Sequence, residues 1–101
     1  MKLVVEFSGG AEMLAGNQKS HCIDMPSASK EETTLATVFA HLREHLLQGE
    51  KSELLLSASG EDVRPGILVL VNDVDWELLG RARCPIKDGD RVAFISTLHG
   101  G

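Results

Sequence analysis

The period of the hydrophobic pattern changes along this chain and then changes back, which limits the folds that the chain can adopt. In Lys2–Phe7 every second residue is apolar, which is typical of a strand with one buried face. From Thr34 the apolar spacing becomes three and four residues, which predicts one amphipathic helix capped by Thr33 or Thr34. The apolar stripe of that helix consists of Leu35, Val38, Phe39, Leu42 and Leu46. A single main helix therefore lies between strands.

Strands and turns account for the rest of the predicted order. Lys19–Met25 alternates like the first strand, and we interpret Ala11–Gln18 as a loose hairpin connection between the two. Ile67–Val71 contains no polar residue, which predicts a strand buried on both faces. We interpret Trp76–Leu79 as a short edge strand or turn, and Arg91–Ser96 predicts the last strand.

This order of elements predicts an α+β domain with a mixed sheet and one main helix packed across it. Gly49 occupies the position of a C′ glycine after the helix, and Glu50–Leu56 predicts a short second helical turn. The β-grasp arrangement fits the order best, and it places the last strand in the centre of the sheet. We expect a β-grasp domain over residues 1–96 and a flexible tail over residues 97–101.

The composition argues against several classes of function. The 101 residues contain 10 Lys and Arg against 15 Asp and Glu, a net charge of −5, whereas direct nucleic-acid binding needs clustered cations. The longest apolar run, Ile67–Val71, is far shorter than the ~20 residues of a membrane span. Two cysteines are too few for a disulfide-stapled secreted domain. We expect a cytoplasmic monomer that contacts neither a membrane nor nucleic acid directly.

Two short patterns are similar to metal sites. The segment His41–His45 reads HLREH and matches the H-x-x-E-H zinc pattern, but both histidines flank the apolar stripe, as on a solvated helix face. The spacing of Asp73-x-Asp75-x-Glu77 matches the start of a calcium loop, but Leu78 stands where that loop needs glycine. We expect no bound metal.

Cys22 and Cys84 have no neighbours in sequence that would activate a thiol. Cys22 falls on the polar side of its strand, and Cys84 precedes Pro85 in a predicted loop. Nothing adjacent lowers the thiol pKa, and two thiolates are too few for an iron–sulfur cluster. We interpret both as small, partly buried side chains without a catalytic role.

The consecutive glycines Gly100 and Gly101 are the most unusual feature of the sequence. Because glycine has no Cβ, two in succession can thread a narrow channel and present an unhindered carboxylate to another enzyme. Residues 97–101 reach ~16 Å when extended, enough to enter an active site while the domain docks outside it. With Gly101 last in the sequence, we expect that no protease is needed to expose the pair.

Three stretches of the sequence closely resemble the ubiquitin-related modifier family. The longest is Val63–Gly80, which reads VRPGILVLVNDVDWELLG. The second, Arg91–Gly101, reads RVAFISTLHGG, and the third is Val4–Ala11. The resemblance covers nearly the whole chain and is weakest over residues 25–61.

The resemblance implies a ubiquitin-like sulfur carrier that is also a protein modifier. In that family an activating enzyme adenylates the terminal carboxylate with ATP, and a persulfide sulfur displaces AMP to leave a thiocarboxylate on the last glycine, here Gly101. A thiolase complex uses the sulfur for 2-thiolation of the wobble uridine of cytosolic transfer RNAs, and the activated terminus is also joined to lysines of target proteins. Leu98, His99 and Gly100 would thread the partner's channel. The chain itself would hold no cofactor and no catalytic residue.

Two other functions stay open on the sequence alone. A carrier of the molybdopterin-synthase small-subunit type shares the fold and the diglycine but forms a stable complex with one large subunit. A non-covalent ubiquitin-like interaction module would be recognised through its sheet face and would not need the tail. The Arg64–Gly80 signature favours the modifier family over the first, and loss of the tail would separate a carrier from the second.

Overall fold

In the part of the chain that the structure describes, strands come first and last, and two α-helices lie between them. The computed structural model describes residues 1–26, 32–47 and 49–97. Its strands are β1 (Lys2–Ser8), β2 (Ser20–Asp24), β3 (Ile67–Val71), β4 (Val74–Asp75) and β5 (Arg91–Ser96). Its helices are α1 (Leu35–His45), α2 (Glu50–Leu55) and three short 3₁₀ helices at Ala11–Ala15, Trp76–Leu79 and Arg81–Arg83. No helix within these described ranges is long and apolar enough to cross a membrane.

The strands form one mixed sheet in the order β2-β1-β5-β3-β4. β1 and β5 run parallel, with Val5 opposite Val92 and Phe7 opposite Phe94. The other neighbouring strands are antiparallel. The last strand is therefore central, as the β-grasp prediction requires. Among the described residues α1 is the longest helix, and it packs across the sheet.

The core fills the space between α1 and the inner face of the sheet. The ring of Phe94 in β5 stacks on Phe7 in β1, with 5.5 Å between centroids, and lies 5.8 Å from the ring of Phe39 in α1. All three side chains are fully buried, and burial of a side chain of this size stabilises the fold by ~1.5–3 kcal/mol. Four residues of the predicted helix stripe have no exposed surface: Leu35, Val38, Phe39 and Leu42. The helical period therefore identified the core face of α1.

The prediction that Ile67–Val71 is buried on both faces is wrong. Val69 and Val71 in this strand are buried, whereas Leu68 and Leu70, which point to the opposite face, are only half-buried. The difference arises because α1 covers one face of the sheet. An unbroken apolar run does not by itself show that a second layer covers the other face.

The segment Trp76–Leu79 is a 3₁₀ helix rather than an edge strand or turn, and the short edge strand is β4, directly before it. The carboxylate of Asp75 caps the helix by accepting the backbone N–H of Glu77 at 2.9 Å. Gly80 ends it in the left-handed conformation, with φ of 95°. The helix buries Trp76, whose ring lies 5.7 Å from that of Phe39.

The predicted connections around the helices also need correction. α1 ends at His45, and Gly49 is the N-cap of α2 rather than the C′ glycine of α1. Leu46 is half-buried, while Leu47, outside the predicted stripe, is fully buried because the chain turns there. The connection between β1 and β2 contains the 3₁₀ helix Ala11–Ala15 rather than a loose loop.

Two leucine-to-alanine substitutions test this distribution of core and surface. Leu42 is fully buried, so Leu42→Ala should lower the free energy of unfolding by ~2–5 kcal/mol. Leu78 is 80% exposed, so Leu78→Ala should change it by no more than ~0.5 kcal/mol. Urea unfolding of both variants and the parent protein measures the difference. Equal losses from the two substitutions would contradict the assignment of α1 to the core.

Candidate functional site

The predicted site residues Leu98, His99, Gly100 and Gly101 lie outside the described residues. The structure does describe the base from which they extend, since β5 ends at Ser96 and Thr97 follows it. β5 is paired on both sides, to β1 through Ser8 and Ile95 and to β3 through Ile67 and Ser96. The residue before Thr97 therefore belongs to the central strand of the sheet, which is paired along both edges.

Thr97 is held by two hydrogen bonds to one carbonyl group. Its backbone N–H and its Oγ1 each donate to the carbonyl oxygen of Gly66, both at 2.7 Å. Gly66 lies in the turn before β3, in which the N–H of Ile67 donates to the carbonyl of Arg64 at 3.2 Å. Gly66 has φ of 88°, and the sequence Pro65-Gly66 at the two central positions is typical of a type II turn. Nothing local in the sequence indicates the contact of this turn with Thr97.

Gly9 lies against the backbone of Ser96 on the other side of β5. A Cβ at Gly9 would be 2.3 Å from the carbonyl oxygen of Ser96, closer than non-bonded atoms approach. Gly9 also has φ of 68°, in the left-handed region that glycine adopts without strain. Among the described residues, a Cβ at Gly10 would meet no atom within 4 Å apart from those of its own chain neighbours. Nothing local in the sequence indicates the close approach of Gly9 to β5.

The face of the sheet opposite α1 combines apolar side chains with a charged border. Its half-buried apolar residues are Val4, Leu68, Leu70, Ala93 and Ile95. At the start of β5, Arg91 pairs with Glu6 at 3.3 Å and with Asp73. The pKa of Arg91 is raised, first by its hydrogen bond to Asp73 and then by the negative charge of Asp73. This charged border lies at the end of β5 away from the tail.

The two thiols occupy different environments. Cys22 is exposed on β2. Cys84 is buried, with 3% of its surface exposed, and burial, followed by the charge of Asp90, raises the pKa of its thiol. A raised pKa leaves less of the nucleophilic thiolate at neutral pH. Cys84 is more deeply buried than the sequence predicted.

The residues of the two metal-like patterns have other contacts. The rings of His41 and His45 lie 4.5 Å apart, and both line a shallow surface depression with His21 and Cys22. Within the described ranges, no group of three or more His, Cys, Asp or Glu is arranged to hold a metal ion. The carboxylate of Asp73 instead pairs with Arg91. The carboxylate of Asp75 caps the 3₁₀ helix Trp76–Leu79.

Comparison with known proteins identifies one family along almost the entire chain. The family model for Urm1, described as ubiquitin related modifier, matches residues 2–101. The chain is 50% identical to the ubiquitin-related modifier 1 homolog of Chlamydomonas reinhardtii, over 100% of this chain and 99% of that protein. It is 46% identical to ubiquitin-related modifier 1 of Gallus gallus, over 100% of this chain and 96% of that protein. The solution structure of Urm1 from Trypanosoma brucei superposes with a TM-score of 0.80 at 40% sequence identity. The match covers 99% of this chain and 95% of that protein. These matches confirm the resemblance found in the sequence.

The different burial of the two thiols predicts different rates of alkylation. In the native protein, iodoacetamide should modify Cys22 rapidly and Cys84 only after unfolding, because Cys84 is buried and its pKa is raised. Intact-mass analysis of the native and urea-treated protein follows the two adducts, and Cys22→Ser identifies the fast one. Alkylation of Cys84 at the same rate as Cys22 in native protein would contradict the structure.

The environment of His41 predicts a loss of stability at mildly acidic pH. Partial burial, and then the charge of His45, lowers the pKa of His41, against the opposing charge of Glu44. The folded state therefore binds fewer protons than the unfolded state as the pH falls through the ordinary histidine pKa of about 6.5. His41→Gln should lose less stability than the parent protein between about pH 7 and pH 5.5. Urea unfolding at the two pH values measures this, and an equal loss in both proteins would contradict it.

Proposed function

The chain belongs to the ubiquitin-related modifier family, and from this premise we propose that it carries sulfur for 2-thiolation of transfer RNA and is also conjugated to lysines. Proteins of this family are ubiquitin-like modifiers and sulfur carriers rather than enzymes. The observation that carries the proposal is the family match over residues 2–101, which includes the diglycine.

The proposed chemistry takes place on the carboxylate of Gly101. A carboxylate is a poor acyl donor, so the activating enzyme joins it to AMP from ATP and releases pyrophosphate. The terminal sulfur of a persulfide then attacks the carbonyl carbon, and AMP leaves. Cleavage of the resulting sulfur–sulfur bond by a thiol leaves a thiocarboxylate on Gly101. Attack by a lysine amine on the carbonyl carbon of the adenylate instead forms an isopeptide bond, with AMP as the leaving group.

In this proposal the protein contributes position rather than catalytic groups. β5 fixes the start of the tail, and the unbranched glycines allow the carboxylate to enter a narrow active site. The buried Cys84, with its raised pKa, is poorly suited to relay sulfur, which supports transfer directly to the terminus. No cofactor is assigned to the chain, because ATP is consumed by the activating enzyme.

The partners follow from the same chemistry. They are an adenylating and sulfur-transferring activating enzyme, a transfer RNA thiolase complex and the lysines of target proteins. The net charge of −5 supports an arrangement in which the thiolase, and not this chain, holds the RNA. We place the carrier in the cytoplasm as a monomer that visits these partners in turn.

Removal of the terminal glycine tests the proposal. Deletion of Gly101 should abolish ATP–pyrophosphate exchange by the cognate activating enzyme, because no carboxylate then reaches the nucleotide. Gly100→Ala keeps the chain length and should slow exchange, since a Cβ crowds a channel shaped for bare backbone. In both variants the free energy of unfolding, followed by thermal melting, should change by no more than ~0.5 kcal/mol.

The same assay separates the alternatives. Exchange at the parental rate after deletion of Gly101 would contradict a carrier function and favour a non-covalent interaction module. A molybdopterin-synthase type of carrier would be favoured by a different set of results. The parent protein would support exchange but form a permanent complex with a single large subunit, and it would not support thiolation of transfer RNA.

A further inference from the structure

We infer that Gly9, Gly66 and Thr97 form a clamp at the root of the tail, which sets the direction in which the tail leaves the domain for activation. This inference rests on the proposed function, since it assigns a positioning role in delivery of Gly101. None of the three residues reacts.

The first half of the clamp holds Thr97 from the β3 side. The backbone N–H and the hydroxyl of Thr97 both donate to the carbonyl of Gly66, so the side-chain rotamer is fixed as well as the backbone. Gly66 itself is fixed by the turn between Arg64 and Ile67. The last β-sheet contact, between Ile67 and Ser96, is thereby extended by one residue along the chain.

The second half of the clamp holds Ser96 from the β1 side. Gly9 follows β1, and its α-carbon lies so close to β5 that a Cβ would be 2.3 Å from the carbonyl oxygen of Ser96. That oxygen is part of the backbone, so it cannot rotate away as the end of a flexible side chain could. Because β1 and β3 flank β5 in the sheet, the clamp contacts consecutive residues from opposite sides.

The clamp shortens the segment that the activating enzyme must order. With Thr97 fixed, the four residues that follow it span at most ~14 Å, and their starting direction is set. Without the clamp, the enzyme must also order Thr97. Fixing the backbone of one residue corresponds to a factor of roughly 5 to 30 in a binding constant. The clamp should therefore act on KM for the carrier rather than on kcat, since the docked carboxylate is the same in both cases.

Thr97→Val tests the β3 side with little change in shape. The variant loses the hydroxyl and keeps the backbone N–H, so we expect the KM of the activating enzyme for the carrier to rise about fivefold, with kcat unchanged. Thr97→Ser keeps the hydroxyl and should restore the parental KM. The melting temperature of both variants should equal that of the parent, because Thr97 is exposed.

Gly9→Ala tests the β1 side, and Gly10→Ala is its matched control. Both glycines have positive φ, 68° and 109°, so an added Cβ strains the backbone at either position. Only the Cβ at position 9 meets Ser96. We expect Gly9→Ala to raise KM by up to about 30-fold and to expose the Thr97 amide to hydrogen exchange, whereas Gly10→Ala changes neither.

The outcomes separate this inference from the proposed function. If the parent protein supports exchange and Thr97→Val keeps the parental KM, the clamp has no positioning role, although the carrier function stands. Equal increases in KM from Gly9→Ala and Gly10→Ala would overturn the role of Gly9. A parent protein that supports no exchange would overturn the proposed function and this inference together. If Gly9→Ala fails to fold, the comparison of Thr97→Val with Thr97→Ser decides the question.

Discussion

The pairing of β5 between β1 and β3 is the interaction on which the rest of the structure depends. It places β5 beside β1, the first strand of the chain, in parallel. On its other edge, β5 pairs with β3 in the antiparallel direction. Its inward side chains, Val92 and Phe94, are fully buried, and Phe94 contacts aromatic rings from both β1 and α1. Because the strand is held on both edges and on one face, the chain that follows begins from a fixed point.

Hydrophobic periodicity predicted much of this fold because the periodic residues are the ones that form the core. The helix stripe identified the buried face of α1, and the order of elements placed the last strand at the centre. The same reasoning failed at Ile67–Val71, where half-buried Leu68 and Leu70 carry the apolar pattern without a covering layer. It also failed at Trp76–Leu79, where the carboxylate of Asp75 and the left-handed Gly80 determine a 3₁₀ helix.

The sequence predicts the residue that the proposed reaction uses but not the geometry that supports it. The glycines at the end of the sequence and the resemblance of the flanking segments predict Gly101 as the site of the proposed reaction. The contacts of Gly9 with Ser96 and of Thr97 with Gly66 join residues that are far apart in sequence. Each pair meets only after β5 is registered against β1 and β3. A glycine in a turn predicts positive φ, but nothing local predicts which backbone lies against it.

Intact-mass analysis measures the proposed transfer of sulfur to the last glycine. The full-length chain is incubated with ATP, a sulfur donor and the cognate activating enzyme, and the product is fragmented to locate the change. The proposed transfer predicts a mass increase equal to replacement of one oxygen by one sulfur, located on Gly101, and the same increase in a Cys22→Ser/Cys84→Ser variant. An unchanged mass, or added sulfur located on Cys22, would contradict it.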